Sequence, residues 1–375
     1  MSHEGHDVAI IGAGIAGLAA SVLLRNAGLR VVCLDPQKYP QRKVGESLDW
    51  SSPGLLRRVG IDTDALIADN IATYKKKIVV CELGKTEWRA APPPVIRRSP
   101  LRFETVTLHV DRAALDARLF DHACTLGAEF IWERVTDIHT DGNRIAGCAT
   151  AGGRRVEARW YIDASGTARM LSRALNIPTI AYGQQKVCLW TYFDTPPLTD
   201  GTAFFVDNGD RYLRWVWDIP ISPRQTSVGV VLSADVVRGR RQAGSSVEAI
   251  LRDELLRHER FHALLATHPV LDISASRRRT YSQHVFRLGH SFNAHVESTI
   301  YRHPIRWGLG LQAATYIYTF FAFFMNALHA RFDPRGWVGM RVFSLLFLAA
   351  RAWIGGWTLV ARTVLWGRAR LHGEG

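Results

Sequence analysis

Asp7 to Ile11 forms an apolar run that predicts a buried strand, Ile15 to Asn26 follows with helical spacing and stops at Gly28, and Arg30 to Asp35 is strand-like again. The chain therefore opens as a βαβ unit. Further on, hydrophobic and polar positions alternate in segments between Lys186 and Leu232, and a proline-rich break stands at Pro92, Pro93 and Pro94. These features predict a sheet inserted between pieces of an αβ nucleotide-binding part, so that the second part is built from non-contiguous segments. The expected fold class is α/β with an α+β insertion. A Rossmann-like dinucleotide domain comprises 1–74, 104–182 and 280–330, a mixed β-sheet substrate domain comprises 75–103 and 183–279, and a helical segment covers 331–375. There is no internal repeat or low-complexity tract.

Two later stretches are strongly apolar. Trp307 to Leu328 is uncharged and long enough in principle to span a bilayer, but it contains Gln312, Thr315, Thr319 and Asn326, which suit a buried helix as well. Val342 to Trp366 is interrupted by Arg351 and Arg362 and followed by Arg368 and Arg370. That pattern fits a helix packed on a domain or lying at a membrane interface, a peripheral contact through 342–370, better than one that crosses. The run Val8 to Leu24 is preceded by nothing basic and carries three glycines, which argues against an export signal.

Gly12-x-Gly14-x-x-Gly17 lies between the first strand and the first helix, the context that gives this spacing its meaning. Gly12 permits the tight turn, Gly14 lets backbone approach a pyrophosphate, and Gly17 allows close packing of helix on strand, while the helix N-terminus attracts phosphate. Asp35 ends the second strand, where a carboxylate can accept both ribose hydroxyls. The fingerprint alone does not separate FAD from NAD.

Composition narrows the partners. With 47 Lys and Arg against 34 Asp and Glu the net charge is +13, partly in runs such as Arg277, Arg278 and Arg279. The excess favours an anionic cofactor, an anionic lipid surface or an acidic carrier protein. No nucleic-acid motif accompanies it. The five cysteines are dispersed without a CxxC pair and are expected as reduced thiols in a cytoplasmic protein, membrane association being the alternative. His258-Glu259-Arg260-Phe261-His262 is a literal HExxH, with His268 where a third zinc ligand would stand. Leu265 replaces the glycine such a site needs to turn the chain. The surrounding leucines instead predict one continuous amphipathic helix with Glu254, Arg257 and Arg260 outward, so no metal is expected.

Several later segments decide the cofactor. Arg42-Lys43-Val44-Gly45-Glu46-Ser47 follows the second strand, His109-Val110-Asp111-Arg112 with Asp116 opens a helix, and Tyr161-Ile162-Asp163-Ala164-Ser165-Gly166 ends a strand in a small-residue turn. In this order they resemble the FAD-dependent monooxygenase superfamily that contains the flavin-dependent halogenases and the geranylgeranyl-reductase-like enzymes. The resemblance implies that Lys43, Gly45, Glu46, Ser47 and Arg112 contact FAD and that Asp163 to Gly166 pack beside its pyrophosphate. Trp215-Val216-Trp217-Asp218-Ile219-Pro220 matches the WxWxIP pattern of the halogenases. Alternation puts both indoles on one face of a strand, where with Pro220 they can wall a passage between flavin and substrate.

By the same resemblance a lysine in Ala72-Thr73-Tyr74-Lys75-Lys76-Lys77-Ile78 would capture or orient hypohalous acid. Lys75 is the best match, although three adjacent lysines leave the register open. Glu297-Ser298-Thr299 is similar to the segment in which tryptophan halogenases carry an acid that assists the transfer. The pattern departs from the family after Arg277. Gly289-His290 stands where a Gly-Asp pair contacts the ribityl chain, and His303-Pro304 where an Asp-Pro is usual; histidine gives up carboxylate acceptor capacity.

The function implied is oxidation of an electron-rich aromatic group, by halogenation or hydroxylation. The substrate would be a free small molecule, a carrier-tethered group or a partner protein, with FAD reduced by a partner flavin reductase or by NAD(P)H. A flavin-dependent reductase of an isoprenoid double bond and a degenerate FAD-binding interaction subunit remain as alternatives.

Overall fold

The computed structural model describes residues 5–38, 43–48, 52–76, 78–82, 89–91, 107–142, 144–177, 179–207, 214–268, 270 and 273–283. The expectations placed on Pro92 to Pro94, Gly289, His290, Glu297, His303 and the two apolar C-terminal stretches lie outside these residues. In chain order the elements begin with β1 (His6–Ile11), α1 (Ile15–Asn26), β2 (Val31–Leu34), α2 (Ser52–Arg58), α3 (Thr63–Ala68), β3 (Ala72–Tyr74), β4 (Ile78–Glu82) and β5 (Arg89–Ala91). There follow β6 (Leu108–Val110), α4 (Arg112–Thr125), β7 (Glu129–Ile131), β8 (Val135–Asp141), β9 (Arg144–Thr150), β10 (Arg155–Val156), β11 (Ala158–Asp163) and α5 (Met170–Ala174). Last come β12 (Thr179–Phe193), β13 (Thr202–Asp207), β14 (Arg214–Ser222), β15 (Gln225–Ser233), α6 (Ala234–Gln242), α7 (Val247–Leu256), α8 (Arg260–Thr267) and β16 (Ser274–Gln283).

Among the described residues, β11, β1, β2 and β7 form a parallel sheet in that order. The run in β1 is apolar throughout because both of its faces are covered: Ala9 and Ile11 pack with Val32, Leu34 and Cys148, while Val8 and Ile10 pack with Val31 and Cys33. The β1–α1–β2 opening is the one the sequence predicts. It brings Asp35, at the carboxyl end of β2, beside the turn that starts α1.

The second large sheet has the order β16–β12–β15–β14–β13–β4–β5 and is mixed, since β13 and β4 run parallel while the other pairs are antiparallel. Its strands alternate, and each face has its own cover. Val187, Leu189, Phe205, Val216, Val228 and Val230 point to a core closed by Ile250, Leu251 and Leu255 of α7 and Phe261 and Leu264 of α8. Cys188, Trp190, Tyr192, Trp217, Ile219 and Val231 point the other way, and Val44 packs on them from the segment that follows β2. The small β3–β6 pair is antiparallel, and Thr73 Oγ1 donates to the carbonyl oxygen of Pro220 in β14 at 2.8 Å.

One expectation fails. The helix anticipated around HExxH is two helices, α7 and α8, and Glu254 does not face outward: it is buried, and Arg214, Arg240 and Arg257 all reach its carboxylate. A carboxylate with three arginine neighbours tolerates burial that the helical spacing alone would forbid. His258 is also buried, 5.5 Å between ring centres from Phe205, and burial pushes its imidazole down to about 4. His262 is exposed and bonds through Nε2 to the Leu256 carbonyl oxygen at 2.7 Å. Among the described residues no three His, Cys, Asp or Glu side chains are grouped to hold a metal.

Candidate functional site

The site is built where three backbone segments meet: the β1–α1 turn, the stretch 43–48, and the start of α4. Gly12 has φ +108°, and a Cβ there would lie 2.4 Å from the Ala164 carbonyl oxygen. A Cβ on Gly17 would lie 1.9 Å from the Gly12 carbonyl oxygen. Only glycine fits such approaches. The 163–166 turn thus presses directly on the first turn, held by Ala164 N donating to Ile11 O at 2.9 Å. Asp163 organises that turn rather than pointing away from it. Its Oδ1 accepts from Ser165 Oγ at 2.5 Å, and its Oδ2 accepts from the backbone amides of Leu171 and Ser172 at 3.0 and 3.2 Å, capping α5. Gly166, next in the turn, has φ +62°.

Asp35 accepts from Ala13 N at 2.8 Å and from Gln37 N at 2.9 Å, so its carboxylate sits at the mouth of the turn. Ala13, Leu18, Asp35, Gln37, Lys43, Phe120 and Trp132 line a small pocket there. The Lys43 Nζ would lie 4.0 Å from a Cβ on Gly14. Phe130 stacks on Trp132 at 5.5 Å, and Phe120 meets both rings. These three aromatics escaped the sequence reading, since nothing local marks Phe120 and Trp132 as neighbours of Lys43.

Asp111 caps α4 by accepting from Ala113 N and Ala114 N, which places Arg112 in the first turn of the helix. Two parallel hydrogen bonds of 3.2 Å pin its guanidinium to Asp116, and an Nη1 atom would stand 2.9 Å from a Cβ on Gly45, whose φ is +120°. Arg112 and the Gly45 turn are therefore in mutual contact, with a cation held beside exposed backbone. A close glycine turn at a helix start, an acid after the second strand, and Lys43 and Arg112 nearby fit a dinucleotide such as FAD.

Residues 46–48 pair with β6: Val110 N donates to Glu46 O at 2.8 Å, Ser47 bridges His109, and Leu48 N donates to Leu108 O at 2.9 Å. Glu46 is 1 % exposed. Its carboxylate accepts from Gly45 N at 3.0 Å, from the Tyr192 hydroxyl at 2.9 Å and from Ser227 Oγ at 3.2 Å. Burial raises its carboxyl above the ordinary 4.5, and these hydrogen bonds oppose the shift in part.

Lys75 stands at the end of β3 and donates from Nζ to Ser47 Oγ at 3.1 Å. Lys76 turns to the surface and pairs with Asp200 at 3.8 Å, and Lys77 lies outside the described residues. Of the two described lysines, then, Lys75 is the one that meets the Gly45-Glu46-Ser47 segment. Beside it, His109 Nε2 contacts Thr202 Oγ1 at 2.8 Å, and Thr202 Oγ1 lies 3.4 Å from Ser47 Oγ.

Trp215 and Trp217 share one face of β14, as the alternation predicts. Trp217 is buried, donates from Nε1 to Ser227 Oγ at 3.2 Å, and leans over Gly229, where a Cβ would fall 2.3 Å from its ring and 2.5 Å from Trp190 Cβ. Trp215 is half-buried under the Lys186 ammonium, 5.2 Å from the ring centre. Pro220, on the same strand, receives the Thr73 hydrogen bond.

A family model described as tryptophan halogenase matches residues 76–300, and one described as an NAD(P)-binding Rossmann-like domain matches 10–41. The chain is 26% identical over 243 residues to the 1H-pyrrole-2-carbonyl-(peptidyl-carrier protein) brominase of Pseudoalteromonas luteoviolacea (strain 2ta16), covering 62% of this chain and 56% of that one. It is 25% identical over 256 residues to the tryptophan 2-halogenase of Chondromyces crocatus, covering 66% and 47%. The chain thus spans about half the length of the curated relatives it matches. In fold it is similar to the flavin-dependent brominase Bmp2, with a TM-score of 0.61 at 21% identity over 98% of this chain and 99% of that one. It is also similar to the flavin-dependent halogenase CmlS, with a TM-score of 0.62 at 23% identity over 75% and 51%.

Proposed function

Because this chain belongs to the tryptophan halogenase family, we propose that it is an FAD-dependent enzyme that halogenates an electron-rich aromatic group, a carrier-tethered pyrrole being the preferred substrate class. The observation that carries the reading is the position of Lys75. Its ammonium meets Ser47 of the segment that would touch flavin, while Thr73 of β3, the strand that Lys75 directly follows, is bonded to Pro220 of the tryptophan strand. A lysine that meets the flavin segment, next to a strand bonded to the strand of indoles, suits a two-site reaction in which the substrate is kept apart from the flavin.

FAD supplies the activation of O2, with electrons from a partner flavin reductase or from NAD(P)H. Gly12, Gly14, Gly17, Asp35 and Lys43 hold its dinucleotide end, and Arg112 with the Gly45 turn borders the rest. Trp215 and Trp217 line the passage and exclude water from it, while Pro220, which by alternation belongs to the opposite face of β14, contributes its carbonyl oxygen to Thr73. Lys75 orients the small oxidised halogen species through its ammonium, and a partly buried cation binds an anionic or polar oxidant more strongly than one fully in water.

The carrier-tethered class is supported by two curated relatives whose names are brominase and chlorinase of 1H-pyrrole-2-carbonyl-(peptidyl-carrier protein). The net charge of +13 is the right sign for an acidic carrier.

The test is incubation of the full chain with reduced FAD, O2, and bromide or chloride, offering pyrrole-2-carbonyl on a peptidyl carrier beside free pyrrole and indole compounds. Mass spectrometry should find halide-dependent product, with the carrier-bound pyrrole preferred. Halide-independent addition of one oxygen would instead establish hydroxylation, and product formed only without O2 would support the reductase reading.

A further inference from the structure

We propose that His109 is a positioning residue for Lys75, acting through Thr202 and Ser47. The inference rests on the role given to Lys75 above. Three elements far apart in sequence supply the chain of contacts. Lys75 Nζ donates to Ser47 Oγ at 3.1 Å, Ser47 Oγ lies 3.4 Å from Thr202 Oγ1, and Thr202 Oγ1 lies 2.8 Å from His109 Nε2. Ser47 comes from the segment after β2, Thr202 opens β13, and His109 is the middle residue of β6.

The side chain of His109 is wholly buried, and its Nδ1 has no hydrogen-bond partner among the described residues. Burial first, and the Lys75 charge second, hold this imidazole well below its ordinary 6.5, so it is neutral. A neutral imidazole offers one donor and one acceptor.

An ammonium can only donate, so Ser47 Oγ accepts from Lys75 and has its own hydrogen to pass on. Thr202 Oγ1 is the acceptor in reach, and Thr202 can then donate to Nε2. With the imidazole proton on Nδ1, donors run one way, from the cation to the Nε2 lone pair, and each hydroxyl dipole is turned with its oxygen toward the positive charge. The contact between Ser47 and Thr202, at 3.4 Å, is long for a hydroxyl pair and is the weakest link of the chain. No proton needs to cross: the imidazole fixes the sense of the two hydroxyls, and the hydroxyls fix the ammonium. Loss of that anchor removes one of the contacts that hold Lys75 inward, whereas its neighbour Lys76 already lies at the surface beside Asp200.

The test reads Lys75 directly, on the full chain and without flavin or halide. Trace acetylation with an amine-selective reagent is followed by mass spectrometry, with Lys76 as the internal reference resolved by fragment ions. Thr202→Val should raise the ratio of Lys75 to Lys76 labelling by about threefold to tenfold, His109→Phe should do the same, and Thr202→Ser, which keeps the hydroxyl, should restore the native ratio. Should His109→Phe not fold, His109→Gln, which can still accept from Thr202, should label as the native protein does. An unchanged ratio in Thr202→Val, or an equal rise in Thr202→Ser, overturns the proposal. Failure of the role given to Lys75 would show separately, as halogenation at the native rate by Lys75→Ala.

Discussion

The Tyr192 hydroxyl donates to the Glu46 carboxylate at 2.9 Å and so joins the segment after β2 to the long strand β12 of the second sheet. Ser227 adds a second bond from β15, and Trp190 Nε1 lies 3.3 Å from the same tyrosine oxygen. A single buried acid therefore ties the segment proposed to touch flavin to the sheet face that carries the tryptophans.

Glu46→Ala should destabilise the protein by about 1–3 kcal/mol, because it strips the acceptor from Tyr192, Ser227 and the Gly45 amide in a site closed to water. Glu46→Gln, which keeps an acceptor, should lose less. Urea unfolding of the three proteins at one pH measures both, and equal stability of Glu46→Ala and the native chain would refute the tie.

Gly12→Ala should lose bound flavin. The added methyl would meet the Ala164 carbonyl at 2.4 Å in a backbone conformation with φ +108°, so the turn must move away from the 163–166 segment. Fluorescence titration with FAD should show affinity reduced by at least about tenfold, the equivalent of roughly 1.4 kcal/mol.

Gly229→Ala should be costly without touching any polar group. Its Cβ would strike the Trp217 ring at 2.3 Å and Trp190 Cβ at 2.5 Å, in a row that crosses β12, β15 and β14. Overpacking of this kind costs about 1–3 kcal/mol. Denaturant unfolding followed by tryptophan emission should register both the loss and a shifted native spectrum.

His258 should make the protein acid-sensitive. Burial lowers its imidazole from 6.5 to about 4 in the folded chain, so the unfolded chain binds the proton more readily. The stabilisation is complete above pH 6.5 and is lost as pH falls toward 4 and through it. His258→Phe, packed between Phe205 and Phe261, should show a smaller fall in Tm between pH 7 and pH 4.5 than the native protein. Parallel falls would contradict the assignment.

What could be read in the sequence was what local spacing controls. Gly12, Gly14 and Gly17 announced their turn because close backbone approach leaves no other residue type there, and Trp215 and Trp217 announced a shared face because strands alternate. Lys75 came with an open register among three lysines, and the contact with Ser47 distinguishes it from Lys76. The partners of Glu46 and Ser47 were hidden: Tyr192, Ser227 and Thr202 lie 146, 181 and 155 residues from them in the chain, and no pattern of period two or 3.6 reports a contact across such distances. The outward placement of Glu254 went wrong for the same reason, since Arg214 and Arg240 reach it from β14 and α6.

The proposed role of Lys75, halogen transfer beside a flavin held by the first turn, can be measured as halide incorporation into the carrier-bound pyrrole by Lys75→Ala, with absorbance confirming that FAD is still bound. The expected result is unimpaired flavin binding with product formation lowered by about a hundredfold or more. Product formed at the native rate by Lys75→Ala would contradict it.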